Sequence, residues 1–214
     1  MSITILGAGN MAKGLAGLFA QSGYEVVLGS RDPSKAQAAV ASLGAKVRAT
    51  DVRTAAAASE LVVLAVPFDA VAATIEAAGG LAGKIVVDIT NPLTADYQGL
   101  TIGHTTSAAE EIQKFAPAAR VVKAFNTLFA QVLQNGGKVG GVASNVFIAG
   151  DDEAANKSVE AVVRKIGLTP VQTGGLKLAR YLEPLAGLNI VLGYARGLGT
   201  DIAPTWTLGS AKAA

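Results

Sequence analysis

The sequence predicts an α/β protein of Rossmann type, doubly wound around a mainly parallel sheet, with a small helical extension at the C-terminal end. Three observations carry this. Short apolar runs rich in β-branched residues alternate with amphipathic helical stretches as far as residue 175. The apolar runs are continuous rather than alternating, as strands buried on both faces require. The first run leads directly into a glycine turn, "GAGNMA", that opens a helical stretch.

Element by element, "SITIL" (Ser2–Leu6) is a β-branched strand. "NMAKGLAGLFAQSG" sets Met11, Leu15, Leu18 and Phe19 on one helical face, and Gly23 stands where that helix should stop. "YEVVLG" is the second strand. Asp32 then reads as an N-cap with Pro33 at the first helical position, and Ala36, Ala39, Val40 and Leu43 form the buried stripe. "AKVRA" is a third strand and Thr50–Ala58 an alanine-rich helix. "ELVVLAVP" is a buried strand closed by Pro67, Asp69–Ala78 a helix, and "KIVVDITNP" a strand closed by Asn91-Pro92. Ser107–Phe115 is a helix opened by a capping box of Ser107 and Glu110. "RVVKAFNT" is a strand, followed by a short helix to Gln134 and a glycine-rich loop, "NGGKVGGVASN". "VFIAG", a helix over Asp151–Ile166 and the strand "TPVQTG" complete the sheet.

From Leu176 the pattern is helical. Leu178, Leu182, Leu185, Leu188 and Leu192 recur at helical spacing, and Pro184 is expected to kink or break that helix. Residues 1–175 are therefore read as one Rossmann-type domain. Residues 176–214 are read as an extension that lays its leucine face on the sheet or on a second subunit, with a frayed tail, "GSAKAA".

Composition excludes several classes. There is no cysteine and a single histidine, so thiolate chemistry, disulfides and multi-histidine metal sites are out. A net charge of +2 with no Lys/Arg run speaks against a nucleic-acid or membrane surface. "MSITILGAG" has no basic stretch before its apolar run, and no apolar run reaches the roughly 18 residues of a membrane span. The expectation is a soluble, cytoplasmic protein.

The turn Gly7-Ala8-Gly9-Asn10-Met11-Ala12 fits the dinucleotide pattern in its required context, after a strand and opening a helix. Gly7 permits the tight turn, Gly9 lets a pyrophosphate approach the backbone, and Ala12 allows close helix packing. The phosphates then meet the free amides and positive end of the helix. At the end of the second strand, where an acidic residue would bind a ribose hydroxyl, stand Ser30 and Arg31, with Lys35 a turn later. A hydroxyl donor, a guanidinium fork and an ammonium fit the 2′-phosphate of NADP.

The remaining strand ends supply Val66, Pro67, Asn91, Asn126 and Thr127, and with Met11 they predict a ligand pocket across the carboxyl edge of the sheet. Asn126 reads either as a hydrogen-bond partner for a carboxamide or ring carbonyl or as the cap of the next helix. General acids are few. His104 is expected to face solvent, Asp88 to hold a backbone group, and Lys123 carries no mark of perturbation. Asp151, Asp152 and Glu153 suit a helix N-terminus rather than a metal. Lys177, Arg180 and Tyr181 are expected on the helix surface. Reduction of a carbonyl calls for a proton donor, whereas hydride exchange between nicotinamide and a flavin-like ring calls chiefly for two stacked rings in a dry pocket. The residues suit the second task.

Together, "ILGAGNMAKGLA", "LGSRDPSKA", "LVVLAVPFDAV", "VVDITNPL", "VVKAFNT" and "RYLEPLAGLNIVLGY" resemble the deazaflavin-dependent NADP reductases, which pass hydride between NADP(H) and coenzyme F420. The resemblance spans Ser2 to about Trp206, and the same fold serves in metazoan membrane ferric reductases, where the hydride goes to a flavin. It implies NADP at Gly7–Ala12, Ser30, Arg31 and Lys35, the second cofactor at the carboxyl edge of the sheet, direct hydride transfer and a homodimer. The alternatives are an NADPH-dependent flavin, ferric, imine or small carbonyl reductase, and a non-catalytic NADP(H) sensor.

Overall fold

The structure, a computed structural model, describes residues 1–206. The expected frayed tail lies outside the described residues. The chain runs β1 (Ser2–Leu6), α1 (Asn10–Gln21), β2 (Glu25–Gly29), α2 (Pro33–Val40), β3 (Val47–Thr50), α3 (Val52–Ala57), β4 (Leu61–Leu64), α4 (Val71–Ala77), β5 (Ile85–Asp88), α5 (Ala108–Phe115) and β6 (Arg120–Lys123). It continues through α6 (Ala130–Gln134), β7 (Lys138–Val139), β8 (Val142–Ala143), β9 (Asn145–Gly150), α7 (Glu153–Lys165), β10 (Thr169–Gly174) and α8 (Ala179–Ile190).

Eight strands form one sheet in the order β10-β9-β6-β5-β4-β1-β2-β3. From β3 to β6 every pairing is parallel. Strand alternation sorts the core into two layers. Ile3, Ile5, Leu61 and Val63 pack under α1, α2 and α7. Val62, Leu64 and Val86 pack under α3, α4 and α5. Burial on both faces is why these strands read as unbroken apolar runs. Among the described residues no helix is long and apolar enough to cross a membrane.

Capping follows the sequence closely. Asp32 accepts hydrogen bonds from the Ser34 and Lys35 amides with Pro33 at the first helical position. Ser107 accepts from the Glu110 amide. Gly23, at φ +89°, ends α1.

Three expectations are corrected, and the antiparallel pairing of the mainly parallel sheet is located. The glycine-rich stretch from Asn135 to Asn145 contains a small hairpin, β7–β8, turning at Gly140-Gly141, both at positive φ. It returns the chain quickly, so β9 pairs antiparallel with β6, a relation that needs no crossover helix. Pro184 lies inside a continuous α8 and ends nothing. The leucine stripe holds only in part: Leu182 is buried, with Leu178 and Leu185 packed beside it against Phe147 and Val171 of the sheet, but α8 also buries Ala179, Glu183, Ala186 and Asn189, while Leu188 is 56% exposed. Small and polar side chains let this helix approach the sheet edge closely, and its polar groups find partners there.

Those partners form a buried cluster. Lys123 Nζ lies 2.6 Å from Asp88 Oδ2, 2.7 Å from the Thr90 carbonyl oxygen and 2.9 Å from Glu183 Oε1. Glu183 in turn accepts from the amides of Ala108 and Ala109, at the start of α5. Burial pushes the Glu183 carboxyl above the usual carboxylate range, against the opposing pull of the Lys123 ammonium. The cluster ties α8 to the sheet and to α5, which fixes the helix that walls one side of the site.

Candidate functional site

The strand order reverses between β1 and β4, and the site opens at the carboxyl ends of these strands, as in other open α/β sheets. Two clefts meet at the first turn of α1. Gly9 lines one and Asn10 the other.

The first cleft, of about 460 Å³, lies over the glycine turn. Gly7 has φ +133°, and a Cβ there would collide with the Ala65 carbonyl, so glycine is required by the approach of β4 as well as by the turn. A Cβ on Gly9 would meet nothing within 4 Å, which leaves the backbone open to a ligand. Gly9 ends in extended backbone as the N-cap of α1, and no acidic side chain occupies the first helical turn. The helix therefore presents free amides and an uncompensated positive end. Ser30, Arg31 and Lys35 line the same cleft, with Val66 and Pro67 opposite. Arg31 makes no ion pair among the described residues, and Lys35 sits 3.9 Å from an Asp32 already committed to capping. The sequence reading missed Lys13, which also lines this cleft. Its position one helical turn after Gly9 was the available signal.

The second cleft, of about 620 Å³, is lined by Asn91, Asn126 and Thr127 from the sheet end, Met11 from α1, and Ala186 and Asn189 from α8. That volume suits a small-molecule ring system. Asn126 does not cap α6: its Nδ2 donates to Asn91 Oδ1 at 3.0 Å and to the Leu182 carbonyl at 2.9 Å. Its Oδ1 is buried and unpaired, as is Thr127 Oγ1. Tyr97, Phe129 and Tyr194 complete the wall, and the sequence reading named none of them. They come from a loop, a turn and a π-helical segment, Val191–Ala195, which carry no periodic signal.

The acid–base candidates lie elsewhere. His104 is exposed, at φ +57° in a loop. Asp88 and Lys123 are consumed by the buried cluster with Glu183, a partner the sequence reading missed. Asp152 caps α7 and Asp151 accepts from the Leu176 amide. Tyr181 is 75% exposed and Lys177 is exposed, but Arg180 is partly buried and forks onto both oxygens of Glu110 at 2.9 and 2.7 Å. Those bonds hold the Glu110 carboxyl below its usual range.

Comparison with known proteins decides the family. The family model for coenzyme F420-dependent NADP oxidoreductases matches residues 2–92. The F420-dependent NADP reductase of Methanothermobacter marburgensis is 32% identical over 90% of this chain and 92% of its own. The chain belongs to the F420-dependent NADP oxidoreductase family. A solved structure of a candidate F420-dependent NADP reductase from Arthrobacter sp. FB24 matches this oxidoreductase with a TM-score of 0.84 and 33% identity, covering 94% of this chain and 96% of that one. Metalloreductase STEAP3 of Rattus norvegicus is 35% identical over 86% of this chain, which spans only 36% of that protein's length.

Proposed function

We propose that this NADP-dependent oxidoreductase passes hydride between NADP(H) in the first cleft and a deazaflavin or flavin-type ring in the second. The observation that carries the reading is the meeting of the two clefts at Gly9-Asn10, one shaped for a dinucleotide phosphate and the other for a planar ring. In this reading Gly7, Ala8 and Gly9, with the amides of Asn10, Met11 and Ala12, hold the diphosphate. Ser30, Arg31 and Lys35 hold the 2′-phosphate, and residues 1–175 act as the nucleotide domain while α8 and Tyr194 of the extension close the ring side.

Val66 and Pro67 form an apolar wall for the nucleotide, and Met11 extends it toward the ring cleft. The unpaired Asn126 Oδ1 and Thr127 Oγ1 are hydrogen-bond acceptors suited to a carboxamide NH₂, with Asn91 fixing the Asn126 amide. When bound, NADPH supplies a hydride and becomes NADP⁺, and a proton from water completes the reduction of the acceptor. The protein's own part is to bring two rings into contact in a pocket whose described lining carries no charged side chain, where orientation rather than acid–base catalysis lowers the barrier. The likeness to a metalloreductase supports a flavin as the second choice of acceptor. We further propose a cytoplasmic homodimer, as the family resemblance implies.

The test is NADPH oxidation with deazaflavin, FMN and a panel of ketones and imines, on the wild type and Ala130→Trp. Ala130 lines the ring cleft and is only partly buried, so a tryptophan there fills the cleft from its rim. Turnover of the ring acceptors should fall at least about tenfold while NADP⁺ affinity stays within about twofold. Reduction of ketones or imines alone, abolished by replacing His104, Tyr181 or the cleft tyrosines Tyr97 and Tyr194 with alanine or, for the tyrosines, phenylalanine, would replace this reading with an acid–base one.

A further inference from the structure

We infer that the second cleft selects its acceptor by the conjugated ring alone and offers no partner to a charged tail, so that riboflavin and FMN bind alike. This rests on the hydride-transfer reading above for its functional meaning. It stands on a separate observation, the division of charge between adjoining clefts. The nucleotide cleft presents Lys13, Arg31 and Lys35. Among the described residues, none that lines the ring cleft carries a charge.

In place of cations the ring cleft has aromatic surface. Tyr194 meets Phe129 edge to face at 5.5 Å between ring centroids, and Tyr97 at 6.5 Å with a 41° tilt. Tyr97 and Tyr194 are 55% and 66% exposed. Their faces are therefore not consumed by the protein's own packing. Both are set by uncommon backbone. Tyr97 has φ +58°, and Tyr194 projects from the π-helical turn. That turn is seated against the wall: a Cβ on Gly193 would come within 2.7 Å of the Phe129 ring.

Left-handed tyrosine backbone and π-helical turns are both unfavourable on their own, and π turns concentrate at functional sites. Here both accompany an exposed aromatic ring on the cleft wall. Stacking on aromatic faces is tolerant of what the stacked ring carries elsewhere. A phosphate ester gains affinity only where a cation comes within the screening distance, about 8–10 Å at ordinary salt. Among the described residues the lining provides none, so a tail leaves through the mouth of the cleft into solvent and contributes little to binding.

Riboflavin and FMN share one ring and differ by one phosphate, which makes them the probes. Quenching of their fluorescence by the NADP⁺-loaded protein reports binding without turnover. The expected dissociation constants lie within about threefold of each other and do not move with ionic strength. Tyr194→Ala should weaken both in parallel, by about tenfold. A tenfold or greater advantage for FMN that fades with salt would overturn the inference by revealing a cation at the tail, and so would the absence of quenching by either flavin. Equal, salt-insensitive binding without any NADPH oxidation would leave the charge-blind cleft standing and remove the hydride-transfer reading instead.

Discussion

Phe125 holds left-handed backbone, φ +59°, although it is not glycine. Such a conformation costs about 1–3 kcal/mol and persists only where surrounding packing enforces it. Its ring is buried edge to face against Phe19 at 6.3 Å, which supplies that enforcement. The sharp turn it makes after β6 brings the next two residues, Asn126 and Thr127, to the ring cleft. At the other end of the site the proposed function rests most on Arg31, exposed and without an ion-pair partner among the described residues. Replacing it with alanine should weaken NADPH binding roughly ten- to hundredfold and NADH binding less than about twofold, since only the former carries the phosphate. Titration calorimetry with both nucleotides checks this, and equal losses for the two would remove Arg31 from the phosphate site. That Arg31 and the glycine turn share one cleft was legible in the sequence because the features are local: turn geometry, helix end and charge each lie within a few residues. The strain at Phe125 was not legible, since nothing in "KAFNT" marks a phenylalanine for positive φ until its ring has a neighbour.

Among the elements, α8 shows what one-dimensional periodicity conceals. Its leucines suggested the buried face, yet the buried positions include Glu183 and Asn189, which bind Lys123 and the Thr127 carbonyl. The partners lie far apart in sequence, so no local pattern announces them. An isolated buried charge is expensive, and removing the lysine leaves two carboxylates facing each other. Lys123→Met should therefore cost roughly 3–5 kcal/mol in urea unfolding. Replacing Lys123, Asp88 and Glu183 together by apolar residues of similar volume should cost much less; a loss under about 1 kcal/mol for Lys123→Met would show that the cluster does not hold α8 in place. The α5–α8 contact has a second tie in Glu110 and Arg180, with a pH signature. Because the folded-state pKa of Glu110 is depressed, its stabilisation is present above the unfolded carboxylate pKa and is lost as pH falls through the folded value. Glu110→Gln should thus be less stable than the wild type at neutral pH, with the difference vanishing in acid. A difference that stayed constant with pH would argue against the ion pair.

At the scale of the molecule, the sheet order from β3 to β6 and its position over the glycine turn follow from the alternation of elements and were foreseeable. The antiparallel entry of β9 was not, because the glycine-rich stretch gave no sign that it folds into a hairpin short enough to reverse the chain at the sheet edge. In the proposed function the basic cleft and the uncharged aromatic cleft share one helix N-terminus, so that two rings would meet there with no charged side chain in the described lining of the second cleft. The most direct test follows the hydrogen itself. NADPH labelled with deuterium at either face of nicotinamide C4 is oxidised in ordinary water with the deazaflavin coenzyme, whose accepting atom is a carbon and so does not exchange. Direct transfer predicts that the label from one face is recovered on that carbon in the reduced product. Reduced deazaflavin carrying hydrogen from water, whichever face was labelled, would contradict the account.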